Sequence, residues 1–135
     1  MISRILITFC VLIFAVVIPV LEVNDSHVFN SSWPAHARFH EVWQLITNCG
    51  IGLLCLWLAW INDNIRLASV LVVLVMGGVL VAHGIQDFYS GSILSGNMSK
   101  TILGMELAAF AAGVAVAIAV GAAILALRSS TYREK

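Results

Sequence analysis

The chain has 135 residues, of which 61% are hydrophobic and only 10% charged, more apolar surface than one small core can hide from water. A water-soluble globule is therefore excluded. Seven basic residues balance seven acidic ones, so the broad positive field that DNA or RNA binding requires is absent, and no nucleic-acid partner is expected.

The lipid bilayer becomes the first expected partner. A membrane-crossing helix needs about 20 mostly apolar residues, and four stretches qualify in chain order: Ile5–Leu21, Val42–Ile61, Leu67–Phe88 and Thr101–Leu127. They predict an all-α, integral membrane four-helix bundle, with residues 1–135 forming a single domain. The first stretch lacks a small-x-small cleavage site and carries Pro19 near its end, where a kink is tolerated, so it reads as a retained span rather than a signal peptide.

Trp33-Pro34 marks the start of the second helix, since proline is tolerated where a helix begins. From there His36, His40 and Gln44 follow one face, while Arg38 and Glu41 fall on another as a candidate ion pair. The third span reaches full length only by running through His83 to Phe88, which makes its end polar, with Gln86 and Asp87 close by. His83 and Asp87 repeat the helical four-residue spacing. The fourth span is rich in small residues, including Ala108, Ala109, Ala112, Gly113, Ala117 and Gly121, which allows helix backbones to approach closely. Glu106 falls on its first turns, on a stripe with Leu103, Phe110 and Gly113, where its carboxyl needs Arg38, His83 or a bound ligand as partner.

Arg4, Arg66, Arg128, Arg133 and Lys135 gather on one side of this topology, against Arg38 and Lys100 on the other. The positive-inside rule then places both termini in the cytoplasm. All four histidines, His27, His36, His40 and His83, fall on the outer side. Ionisable groups at the membrane edge default to a functional hypothesis. His36, His40, His83 and Asp87 form a nitrogen-and-oxygen set suited to a divalent transition metal as cofactor. Glu41, Glu106 and Arg38 are the candidate catalytic groups for acid–base work on a lipophilic small molecule. His27, in a loop, reads as exposed. Trp33, Phe39, Trp43, Phe88 and Tyr89 lie at the same level, as an interfacial belt or, where two turn inward, as a pocket wall. Cys10, Cys49 and Cys55 all fall inside apolar runs and read as buried thiols. Three N-x-S sequons begin at Asn24, Asn30 and Asn97, all in the loops assigned outside.

The stretch His27-Val-Phe-Asn-Ser-Ser-Trp-Pro-Ala-His-Ala-Arg-Phe-His40, followed by Glu41-Val-Trp-Gln44, resembles the signature segment of an uncharacterised family of small four-span membrane proteins. That family's pattern is a His, an Asn-Pro-x-Trp-Pro stretch and a His-Ala-Arg-Phe-His block; Ser31 stands here where its first proline is expected. The resemblance implies a four-span fold and no particular activity. In architecture alone the chain is also similar to sterol-isomerase-like membrane proteins, but no motif match carries their catalytic residues over. Three functions remain open: a membrane enzyme using metal-assisted or acid–base chemistry, a small-ligand binding or transport module, and an accessory subunit that docks through its small-residue helix as an oligomer or beside a larger membrane partner.

Overall fold

A computed structural model describes residues 1–94 and 100–133, with side chains as far as Arg128. The chain is mostly helical. Its first helical stretch is built from α1 (Ile2–Leu12), a π-helical turn (Ile13–Val17) and α2 (Ile18–Glu22). Then come α3 (Ala35–Trp60), α4 (Ile65–Gly84), a 3-10 turn (Gln86–Tyr89), strands β1 (Thr101–Ile102) and β2 (Met105–Glu106), and α5 (Leu107–Arg133). Four helices, Ile2–Glu22, Ala35–Trp60, Ile65–Gly84 and Leu107–Arg128, are long and apolar enough to cross a membrane, and the chain is a multi-pass membrane protein.

The π turn has a cause in the sequence. Pro19 has no N–H, and its ring crowds the carbonyl four residues back, at Ala15; widening the helix locally relieves that clash. The Ala15 carbonyl is then approached from α3, where the Cys49 thiol donates to it at 3.4 Å. Gly52, one turn on, makes this approach possible. A Cβ there would lie 2.6 Å from the Ala15 Cβ and 3.2 Å from Val11 Cγ1.

The other two thiols behave alike. Cys10 on α1 donates to the Ala115 carbonyl of α5 at 3.5 Å, and Cys55 on α3 to the Ala68 carbonyl of α4 at 3.7 Å. No cysteine is in a disulfide. These contacts are weak individually, but each ties one helix to the backbone of another.

α5 packs against α4 and α1, and α3 against the same two. The face of α5 that enters this core is Ala109, Ala112, Ala115, Ala119 and Ala122, all buried. Gly113 and Gly121 lie off that stripe with open space beside them, so the close packing rests on alanines. Phe14, Ile7, Met76 and Val72 fill the centre. At the end of the helices nearest Met1, Arg4 pairs with Asp63 at 3.0 Å and lies 5.9 Å over the Trp60 ring, while Trp60 Nε1 donates to Thr8. Asp63 takes a left-handed conformation in the α3–α4 turn, and the Asn64 side chain caps α4 by accepting from the Leu67 amide.

One expected element differs. The stretch beginning at Thr101 does not start a helix; β1 and β2 form a two-stranded antiparallel hairpin, with Thr101 opposite Glu106. Its turn residues Leu103 and Gly104 both have positive φ, 53° and 79°, the geometry that joins strands through a two-residue turn. Glu106 therefore sits just before α5 rather than on its first turns, and Leu103 shares no helical stripe with it. The apolar content of 101–106 suggested a span, but β-branched Thr101-Ile102 and Gly104 are hairpin residues.

A branched side chain at Gly52 should break the α1–α3 contact. We expect Gly52→Val to lower stability by about 1–3 kcal/mol through overpacking, measured by SDS-titration unfolding in detergent. Gly50→Ala, where no atom lies within 4 Å of the added Cβ, should be neutral or slightly stabilising. Equal losses for both variants would rule out the close approach as the reason for glycine at position 52.

Candidate functional site

At the helix ends opposite the Arg4–Asp63 contact lies a cavity of about 900 Å³, within the size range of small-molecule sites. Its apolar wall includes Ile13, Val17, Leu45, Val75, Met76 and Ala108. Its polar lining is narrower, with Glu22, His27, Glu41, Gln44, Asn48 and His83 the main groups.

α3 supplies the longest polar stripe. Glu41, Gln44, Leu45 and Asn48 follow one another at helical spacing and all line the cavity. His36 and His40 do not. They are exposed, with their Nε2 atoms 3.0 Å apart. The His36 ring stacks on Phe39 and the His40 ring on Trp43, both exposed rings. Gln44 thus belongs with Glu41 and not with the histidine pair. Arg38 is half-buried and does not line the cavity; among the described residues it forms no ion pair with Glu41.

The expected metal set does not assemble. Among the described residues no group of three or more His, Cys, Asp or Glu side chains is placed to hold a metal ion. His36 and His40 face outward and His83 lines the cavity. Asp87 is exposed in the 3-10 turn. The physical reason for that last position is the end of α4 at Gly84, which breaks the helical register that would have kept Asp87 above His83.

His27 is half-buried in the loop rather than exposed. Its Nε2 lies 2.8 Å from Glu22 Oε2, its Nδ1 lies 2.8 Å from Ser26 Oγ, and Trp33 meets the ring edge-on at 5.6 Å. A serine, a histidine and a carboxylate in line suggest an activated nucleophile, but the hydrogens forbid it. The Asn24 amide nitrogen donates to the Leu21 carbonyl, so Asn24 Oδ1 faces the Ser26 backbone N–H, accepting at 2.7 Å. Ser26 Oγ is 2.6 Å from that same Oδ1. Two oxygens at that distance need a proton between them, and only serine has one. With its hydrogen directed to Asn24, the Ser26 oxygen is free to accept from His27 Nδ1, the arrangement these two short contacts favour. Nε2 is then the ring nitrogen placed to exchange a proton with the Glu22 carboxyl, 2.8 Å away. The result is a proton-exchanging couple rather than a nucleophile.

The Asn24 arrangement recurs at Asn30. There Oδ1 accepts from the amide and hydroxyl of Ser32, and the amide nitrogen donates to the Ser26 carbonyl at 3.0 Å. Both sequons are thus closed Asx turns. The sequon that begins at Asn97 lies outside the described residues.

A second couple stands on α4. His83 Nε2 is 3.6 Å from Glu106 Oε2, with both side chains partly buried. The hairpin delivers Glu106 to this place, and His83 is one of the partners its sequence position allowed. His83 Nδ1 is buried without a hydrogen-bond partner among the described residues. The cavity is closed on this side by the segment after α4, where Tyr89 donates its hydroxyl to the Ala82 carbonyl at 2.9 Å and Gln86 accepts from the Ile93 amide. Gly91 lies beneath Tyr89, and a Cβ there would meet the ring at 2.0 Å, so a side chain at this position would have to displace it. Of the five aromatic residues at this level, Trp33 and Tyr89 line the cavity, while Phe39, Trp43 and Phe88 are exposed on the outside.

Sequence reasoning overlooked Glu22 and Asn48 and misplaced His27. Glu22 is the acid that ends the first apolar run, five residues before His27, and Asn48 extends the Glu41–Gln44 stripe by one turn. The Asn48 signal is present in the spacing, whereas the Glu22–His27 contact depends on how the loop folds.

The proton accounting is open to measurement by ring-nitrogen NMR of selectively labelled histidine. Neutral His27 should carry its proton on Nδ1, also in Glu22→Gln, whereas Asn24→Ala should release the Ser26 hydroxyl and let the tautomer shift. A neutral His27 with its proton on Nε2 in the unaltered protein would contradict the arrangement. No protein-family model, curated protein or solved structure matches the chain, so the family resemblance of the His27–Gln44 segment gains no support from them.

Proposed function

We propose that the chain is a four-helix membrane bundle with both termini cytoplasmic, and that it is an enzyme which admits a lipophilic molecule to its cavity and moves a proton on it. The observation that carries this reading is that two imidazole–carboxylate couples, Glu22–His27 and Glu106–His83, meet one apolar-walled cavity through their histidines. One couple can accept a proton from a substrate carbon while the other returns one elsewhere, a redox-neutral isomerisation. Glu41 lies on the α3 wall of the cavity.

The orientation follows from charge. Arg4, Arg66 and Arg128 belong to the helix ends away from the cavity, with Arg133 and Lys135 beyond them in the sequence, and the positive-inside rule puts that side in the cytoplasm. The cavity then faces the outer leaflet. Its polar lining stays at one end of the helices, which argues against a conduction path through a single copy. The alanine stripe of α5 is used inside the molecule, against α1 and α4, which weakens the case for an accessory subunit docking through that face.

The test is deuterium incorporation. Protein in nanodiscs is incubated in heavy water with a total lipid extract of the membrane from which it is purified, and the lipids are read by mass spectrometry. One species should gain carbon-bound deuterium, and Glu22→Gln or Glu106→Gln should slow this by about 100-fold or more, the usual scale of general acid–base catalysis. A lipid that copurifies yet never gains carbon-bound deuterium would remove the chemistry and leave a binding module.

A further inference from the structure

We infer that the molecule this cavity selects is a lipophilic monocation, an amphiphile with a single ammonium head, held by Glu41. The inference rests on the cavity being a ligand site, as proposed above, and adds the chemical class of its occupant.

The wall carries carboxyl groups and no permanent cation. Glu22 and Glu41 both line the cavity, whereas no lysine or arginine does. The nearest arginine in sequence, Arg38, is turned out of it, and the undescribed residues 95–99 contain no charged residue in the sequence. Glu22 already has a partner in His27. Glu41 is half-buried, and among the described residues it has no hydrogen bond or ion pair. Its one electrostatic interaction is with the Glu22 carboxyl, a like charge. The titratable groups that face it across the cavity are Glu22, His27, His83 and Tyr89.

A neutral occupant would strip water from Glu41 and return at most a hydrogen bond, which leaves its charge without a counter-charge. An anion would be repelled by Glu41. A metal ion would need several ligands to replace its water, and no such group exists among the described residues. A protonated amine on an apolar chain answers all three requirements. Its head pairs with Glu41 and relieves the repulsion between the two carboxylates, its chain lies on Val17, Leu45 and Val75, and the Trp33 and Tyr89 rings offer cation–π contact.

The experiment uses three photoreactive aliphatic diazirine probes of equal chain length, ending in an amine, an alcohol or a carboxylate. Each is added to the full chain in phosphatidylcholine nanodiscs, and adducts are mapped by peptide mass spectrometry. The amine should label cavity residues about tenfold more than the alcohol, the scale of one charge-assisted contact, with the carboxylate lowest. Glu41→Gln should bring the amine down to the alcohol's level while alcohol labelling persists, which shows the variant still folded; Glu41→Asp should restore part of the preference. Equal labelling by amine and alcohol would overturn the cation inference and leave the cavity reading intact. No cavity labelling by any probe would overturn both.

Discussion

A hydrocarbon solvent offers no hydrogen bonds, and that constraint organises this molecule from its backbone to its cavity. A polar group that cannot reach an aqueous interface is costly unless another part of the chain answers it, and among the described residues the buried side-chain atoms left unanswered are Ser69 Oγ and His83 Nδ1. Pro19 leaves the Ala15 carbonyl without its usual donor, and a thiol from a different helix approaches it. That approach needs Gly52, so a single missing N–H in the first span dictates a glycine and a cysteine in the second. The other thiols make the same kind of contact, from α1 to α5 and from α3 to α4. Helices that share only apolar surface could slide past one another; these carbonyl contacts and the alanine stripe of α5 define their register.

The same demand shapes the polar end. The loop after α2 satisfies its own amides and hydroxyls through two successive Asx turns, and the first of them sets the Ser26 hydroxyl against His27 Nδ1. The imidazole is left with one free relation, to Glu22. On the other side of the cavity a short hairpin carries Glu106 to His83. Two carboxyl–imidazole couples of different origin, one from a turn and one from a hairpin, thus face one apolar space. Glu41 stands between them with no ion pair among the described residues, and the cationic occupant proposed above would supply one.

Much of the architecture is legible in the residues. Four apolar runs, a helix beginning after Pro34 and three thiols outside disulfides are each read directly from composition and local chemistry. The site is legible only in part. Glu41, Gln44 and His83 stand out as polar residues in apolar runs, and they do meet the cavity. His36 and His40 have the same four-residue spacing as any pair of neighbours on a helix, and nothing in that spacing says which side of the helix faces inward. Asp87 looked like a continuation of α4 because helix periodicity carries on in the sequence past Gly84, where the chain itself turns. Glu22 and His27 formed no recognisable pattern, because their contact depends on a loop conformation set by Asn24.

By itself the sequence determined the solvent of this protein, the number of its helical spans and the clustering of its polar residues towards one end, since hydropathy and charge are properties of residue type and order. The tertiary structure alone decided which polar residues face one another: Glu22 with His27, Glu106 with His83, and the histidine pair of α3 turned away. Those outcomes depend on helix rotation, on where α4 stops and on a hairpin that apolar content concealed. Each is settled by packing between segments distant in the chain, which no local pattern encodes.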